Sequence, residues 1–247
     1  IQYNGNPFDL PFLEERFRKH KMVTPFKEIL SIDLYQLLKP CQSLFKLSKM
    51  KQPDLENFVG IHNRKYCDGG QCIRLYKTFM KKKDPEAANI VMGHNEEDLL
   101  GLGTIFSLLA YKKLYDGEYH PKQCVILEQE LKIVIELSAA APVNVSCGNS
   151  DFYLSVNGYE ARMLVHLKEG KLRQYYRNYK DYEFIPGEDT AMPKSITRYM
   201  DKSLKIATTP QTCYTWFNCD EDFLNNEKKQ MQYLTHTLPF FLDNLNK

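Results

Sequence analysis

Tyr3-Asn4-Gly5-Asn6-Pro7-Phe8-Asp9-Leu10-Pro11-Phe12-Leu13 decides the reading of this 247-residue chain. Residues 1–3 look like the end of a buried strand, and Asn4-Gly5 breaks it. A helix is expected over Phe8–His20, with Pro11 in its first turn, where a missing N–H costs nothing. Phe12, Leu13 and Phe17 mark the face expected to be buried. Asp9 lies three and four residues before Phe12 and Leu13, so a carboxylate opens the apolar stripe. Ile1 is not a start methionine, and residues upstream of it are expected.

A second acid stands on an apolar face. Four and seven residues after Asp98 come Leu102 and Ile105, and four before it comes His94. A carboxylate among such neighbours loses hydration, which favours a positive partner. A divalent cation is one candidate; Lys112 or Lys113 is the plainer one. Standing alone, Asp9 is more simply a helix cap, and His94 a packed or solvated histidine.

Outward from these stretches the chain changes texture. Residues 1–123 carry 19 basic and 15 acidic groups, net +4; residues 124–247 carry 14 and 16, net −2. The first half reads as mostly helical. Asp33 is placed to cap a helix, with Gln36 completing a capping box. A short helix is expected within Met50–Gly60, then a glycine-rich loop at Asp68-Gly69-Gly70. A helix over Gln71–Met80 ends in Lys81-Lys82-Lys83, cations suited to a helix C-terminus. One or two further helices are expected over Glu86–Leu114.

Turn chemistry at Asp116-Gly117 and Pro121 suggests a linker over Tyr115–Lys122. Beyond it, period-two patterns predict strands at 123–137, 151–157, 159–168 and 171–177. Asn157-Gly158 gives the strongest hairpin signal, and Glu169-Gly170 separates the next two strands. A helix near 190–200, a strand near Thr212–Phe217 and an apolar segment through Leu242 complete the reading. The fold class is therefore α/β followed by a β-rich α+β domain, divided as 1–120 and 121–247.

The two acidic stretches carry a resemblance. Asn4-Gly5 followed by helix-opening Asp9 resembles the second motif of the DEDD (DnaQ-like) 3′–5′ exonucleases. His94-Asn95-Glu96-Glu97-Asp98-Leu99-Leu100 resembles the third motif, Tyr-Asn-x-x-Asp-Leu-Leu, with His in the tyrosine position. Ser31-Ile32-Asp33-Leu34-Tyr35 is similar to the short strand between those motifs. The closest resemblance is to YprB-like exonucleases of the ribonuclease-H-like fold.

That resemblance implies a two-metal site holding Mg²⁺ or Mn²⁺, with Asp9 and Asp98 as ligands. His94 would orient or deprotonate the attacking water, and Asn4 would sit near a single-stranded DNA or RNA substrate. One departure is plain: the first motif, Asp-x-Glu on the opening strand, is not present. Asp84-Pro85-Glu86 matches its letters but lies in a lysine-flanked segment. The resemblance thus implies an exonuclease-like protein lacking part of its site, inactive as this fragment.

Arg162–Lys180 holds six basic residues against one acid, Glu169, a local +5, interleaved with tyrosines. Arg173 and Arg177 could neutralise phosphates, and Tyr175 and Tyr176 could stack on bases. The plainer reading, that tyrosines in strands cover a sheet face, is preferred. The alternative function is a catalytically silent nucleic-acid-binding module using this stretch.

Composition excludes other classes. With 26% charged residues and a net charge of +2, the chain is neither a polybasic tail nor disordered. No run approaches the length of a membrane span, and the first residues do not resemble a signal peptide. Seven scattered cysteines read as free thiols in a reducing compartment, giving an expected cytoplasmic location. Cys67 and Cys72 lack a matching second pair, which argues against zinc. Asp220-Glu221-Asp222 is expected to be surface or a helix cap.

Overall fold

The computed structural model describes residues 1–66 and 68–245; Cys67, named above as one of a cysteine pair, lies outside them. The chain forms two compact units, Ile1–Leu109 and Ala110–Lys247.

The first unit is helical, with elements α1 (Asp9–Lys19), α2 (Leu34–Leu38), α3 (Gln42–Phe45), α4 (Gln52–Phe58), α5 (Gly69–Lys82) and α6 (Pro85–Ile105). Its extended segments meet in one parallel bridge between Gln2 and Asp33. There Gln2 N–H donates to Ile32 O, and Leu34 N–H donates to Gln2 O. Asp33 caps α2 by accepting from the amides of Tyr35 and Gln36. The same buried carboxylate accepts from the amides of Asn4 (2.8 Å) and Asn6 (3.2 Å), so one side chain holds the Asn4–Asn6 loop against α2. Leu34, Leu38, Leu44, Leu55, Ile105 and Leu108 form the buried core.

Two local expectations change here. Gly69-Gly70 is the first turn of α5, capped by Asp68, because the Asp68 carboxylate accepts from Gln71 N–H and satisfies an otherwise orphaned donor. Helix α1 buries none of its residues: Phe12 is 55% and Leu13 40% exposed. Of that face only Phe17 is partly covered, its ring 5.7 Å from that of Phe26, and Phe12 and Leu13 stay exposed.

The second unit begins with α7 (Leu109–Asp116), whose end is fixed by Gly117 at φ +88°. Strands β1 (Tyr119–Leu127), β2 (Glu130–Gly148) and β3 (Phe152–His166) form an antiparallel meander in the order β1-β2-β3. Alternation makes its inner face: Leu131, Ile133 and Ile135 on β2 lie opposite Val165, Met163 and Ala161 on β3, all buried. The stretch expected as one strand over 123–137 is cut by a turn at Glu128-Gln129, where Glu128 takes φ +56°.

Asn157-Gly158 does not turn the chain. It lies inside β3, where Gly158 at φ +55° faces Ala141 across a register irregularity. A type I′ turn needs positive φ at both central residues, and only Gly158 has it, so the glycine absorbs a bulge. Glu169-Gly170, at φ +52° and +73°, is the two-residue turn, closed by reciprocal bonds between Lys168 and Lys171.

The turn delivers β4 (Lys171–Tyr175) to a different partner, β8 (Tyr214–Asn218). A third sheet joins β5 (Tyr182–Ile185), β6 (Thr190–Pro193) and β7 (Ile206–Ala207) in the order β6-β5-β7. Helices α8 (Lys194–Thr197), α9 (Glu221–Leu224) and α10 (Glu227–Asp243) complete the unit. Asp220 caps α9 through Phe223 N–H. Aromatic rings fill the space under α10: Tyr175 stacks on Phe240 with centroids 3.6 Å apart, and Phe152 meets Phe241 at 5.4 Å. A helical first part followed by antiparallel sheets fits the α/β and β-rich classes. No described helix is long and apolar enough to cross a membrane.

Candidate functional site

Asp98 lies on the fourth turn of α6, seven residues before the buried Ile105, so its helix presents it to the packed side of the first unit. The cation that meets it is Arg64. Arg64 Nη1 donates to Asp98 Oδ1 at 2.7 Å, while Nε and Nη2 grip Glu56 Oε2 and Oε1 at 2.6 and 2.7 Å. Lys112 and Lys113, the lysines considered from sequence, pair with Asp116 and Glu118. Planar fork geometry suits arginine to this bidentate grip.

Glu56 is only 2% exposed. Burial pushes its carboxyl up, but hydrogen bonds from Arg64 and Gln52 and the Arg64 charge outweigh it and hold the group below its ordinary value. Burial alone would depress Arg64; the two carboxylates instead hold it firmly protonated. Gln52 closes the cluster, its amide donating to Glu56 Oε1 (2.9 Å) and to the Asp98 carbonyl (2.7 Å).

His94 Nε2 stands 3.4 Å from Asp98 Oδ2, one turn earlier on the helix. His94 Nδ1 is buried with no hydrogen-bond partner among the described residues. Glu97 faces the same loop as Arg64, accepting from the amides of Lys65 (2.7 Å) and Tyr66 (3.3 Å).

Two glycines let the loop and α4 approach α6 this closely. A Cβ on Gly93 would overlap the Tyr66 ring; one on Gly101 would overlap Glu56 Oε1 and come within 2.7 Å of Glu56 Cδ. Gly103, two residues on, has nothing within 4 Å and is exposed. Gly101→Ala is therefore expected to destabilise by about 1–3 kcal/mol through displacement of the Glu56–Arg64 pair. Gly103→Ala is expected to stabilise by about 0.5–1 kcal/mol through helix propensity. Urea midpoints of the two variants moving in the same direction would contradict this assignment.

The other residues singled out from sequence fall elsewhere. Asp9 is exposed in the first turn of α1, whose N-cap is Phe8, so Asp9 is not a cap. Its Oδ2 lies 3.1 Å from where a Gly5 Cβ would stand. Asn4, at φ +55°, is exposed and held through its backbone by Asp33. Asp9, Asn4 and Asp33 lie around the Asn4–Asn6 loop, while Asp98 and His94 on α6, Glu56 on α4 and Arg64 in the loop after α4 make the cluster. Arg64 and Glu56 were missed from sequence. The signal for Arg64 was the demand of Asp98 for a cation, which names no residue.

A two-ion centre needs several carboxylate oxygens converging on cations roughly 4 Å apart. Among the described residues no three His, Cys, Asp or Glu side chains converge to hold an ion. Each Asp98 oxygen already faces a nitrogen, Arg64 Nη1 or His94 Nε2, and the acid that shares Arg64 with it is Glu56. As arranged, these residues do not fit a pair of divalent cations.

In the second unit the basic tyrosine stretch is woven into packing. The Arg173 guanidinium lies over the rings of Tyr214 (4.9 Å) and Trp216 (4.7 Å) and pairs with Asp151 at 3.5 Å. Tyr175 is 4% exposed among Phe152, Tyr214 and Phe240. Tyr176 packs on Tyr182 at 5.2 Å and its hydroxyl meets Thr215. Arg177, half exposed, lies over Tyr115 and pairs with Asp243.

Residues 1–110 match the family model of the RNase H superfamily, a span that coincides with the first unit. The match supports an RNase-H-like domain with a nuclease-like fold over these residues. No curated protein and no solved structure matches the chain.

Proposed function

We propose that the chain holds single-stranded nucleic acid, with an RNase-H-like first unit that does not cleave it in this arrangement. The observation that carries this is the state of Asp98. A metal ligand must present its oxygens to a cation, and here Arg64 and His94 stand against the two oxygens of Asp98. The guanidinium supplies the positive charge that a cation would otherwise bring. It cannot activate water, because it has no open coordination position and keeps its proton throughout the accessible pH range.

A second reading keeps the DEDD-type, YprB-like exonuclease chemistry. His94 beside Asp98, with Nδ1 buried and unbonded among the described residues, favours it. So does Asp9 at the head of α1 after the Asn4-Gly5 turn. Metal-dependent 3′–5′ trimming with Mg²⁺ or Mn²⁺ requires further carboxylates beyond Asp9 and Asp98, and release of Asp98 from Arg64.

Both readings are tested with 5′-labelled single-stranded DNA and RNA in Mn²⁺ or EDTA. Retarded, full-length oligonucleotide in both conditions is the expected result. A ladder shortening from the 3′ end in Mn²⁺ alone, lost in Asp98→Asn and Asp9→Asn, would instead establish the exonuclease.

A further inference from the structure

The third sheet of the second unit carries a groove of about 580 Å³ lined by Lys180, Lys194, Lys202, Lys205, Tyr179 and Tyr182, with Glu183 as its acid. Four lysines less one glutamate leave the lining at +3. Glu183 is already bound, to Lys205 Nζ at 2.8 Å and to the Thr197 hydroxyl. Acids adjacent in sequence are also engaged locally: Asp181 accepts from the Asn178 amide, and Asp201 from the Ser203 amide and hydroxyl at 2.8 Å. Among the described residues no carboxylate pairs with Lys180, Lys194 or Lys202, and all three are exposed.

The floor is fixed. Lys205 is 12% exposed and also donates to Thr197 O at 2.7 Å. The Thr208 hydroxyl bonds the carbonyls of Tyr179 and Tyr182, and Tyr182 stacks on Tyr176. Free ammonium groups therefore rim a preformed trough with two tyrosine rings in its wall. Beside it Tyr199 is 79% exposed.

We propose that this groove binds the phosphate backbone of single-stranded nucleic acid, with its tyrosines taking bases. The lysines supply charge that does not read sequence, and the rings supply stacking faces. This proposal rests on the nucleic-acid reading above and names a site for it that the Arg173–Arg177 stretch does not provide. Exposed Ile196, Leu204 and Ile206 beside the lysines make an anionic membrane surface the competing partner.

The test uses the full chain and a fluorescent single-stranded oligothymidine, with anisotropy read across a salt series. Lys180→Glu/Lys194→Glu/Lys202→Glu is expected to weaken binding about tenfold or more, and to flatten the log–log salt slope by about 2. Lys77→Glu/Lys81→Glu/Lys82→Glu changes net charge equally on α5 and is expected to change binding much less. Circular dichroism melts check that each variant folds. Equal losses in both triples, or undiminished binding in the groove triple, would overturn the groove while leaving the nucleic-acid reading standing. Binding by no form of the protein, at any salt, would remove that reading and the groove with it. Loss of phosphatidylserine-vesicle sedimentation with oligonucleotide binding intact would reassign the groove to lipid.

Discussion

Arg64→Leu is expected to destabilise the first unit by about 3 kcal/mol. Truncating the guanidinium leaves Glu56, 2% exposed, as a buried carboxylate whose remaining hydrogen bond among the described residues comes from Gln52. Breaking a buried pair from one side costs more than the pair is worth, because the remaining charge has lost both water and partner. The figure stands at the low end of the usual range because Arg64 keeps 19% of its side chain exposed and Asp98 keeps 38%. Glu56→Leu combined with Arg64→Leu is expected to recover most of the loss, and a double-mutant cycle measures the coupling. A single Arg64→Leu variant with an unchanged urea midpoint would mean the cluster is not an energetic hub.

The same cluster sets a pH dependence. The folded-state carboxyl of Glu56 is held below its ordinary value, so its stabilising contribution is complete above about pH 4.3. That contribution is lost as pH falls through the depressed folded value, where protonation breaks the grip on Arg64. Glu56→Gln is expected to flatten this acid limb. A Glu56→Gln variant that melts with the same acid slope as the unsubstituted protein would contradict it.

The second large effect is expected at Tyr175. Tyr175→Ala should cost about 3–5 kcal/mol, the range for emptying a buried aromatic site. The ring stacks on Phe240 at 3.6 Å and makes edge contacts with Phe152 and Tyr214 at 6.2 and 5.5 Å, so its removal opens the space beneath α10. Burial raises its hydroxyl pKa, and the neighbouring Arg173 charge opposes that rise. Tyr175→Leu, which keeps an apolar filling, separates packing from recognition. A core residue predicts unchanged oligonucleotide affinity in the folded Leu variant. A base-stacking residue predicts a loss of about 1–3 kcal/mol in binding. The first outcome is expected.

Much of the first unit was legible because its signals are local. Asp33 as a cap, the lysines ending α5 and the apolar stripe through Asp98 each depend on residues within two turns. Strand alternation in β2 and β3 is equally local. Asn157-Gly158 failed as a turn because a long strand pairing on both sides of it outweighed a two-residue preference, and the glycine's positive φ served a bulge. Tyr175 and Tyr176 offered a composition compatible with either stacking bases or filling a core, and composition carries no direction.

By itself the sequence determined that helices precede strands and that Asp98 stands on a packed face and needs a positive partner. It also determined that Glu169-Gly170 turns the chain. Only the tertiary structure decided that the partner is Arg64, shared with a buried Glu56 across α4 and the 59–66 loop, and that lysines without a carboxylate partner among the described residues gather around the third sheet. The reason is range: periodicity and capping act over a few residues along the chain. An ion pair or a charged groove depends on angstrom distances between segments tens of residues apart, which packing alone fixes.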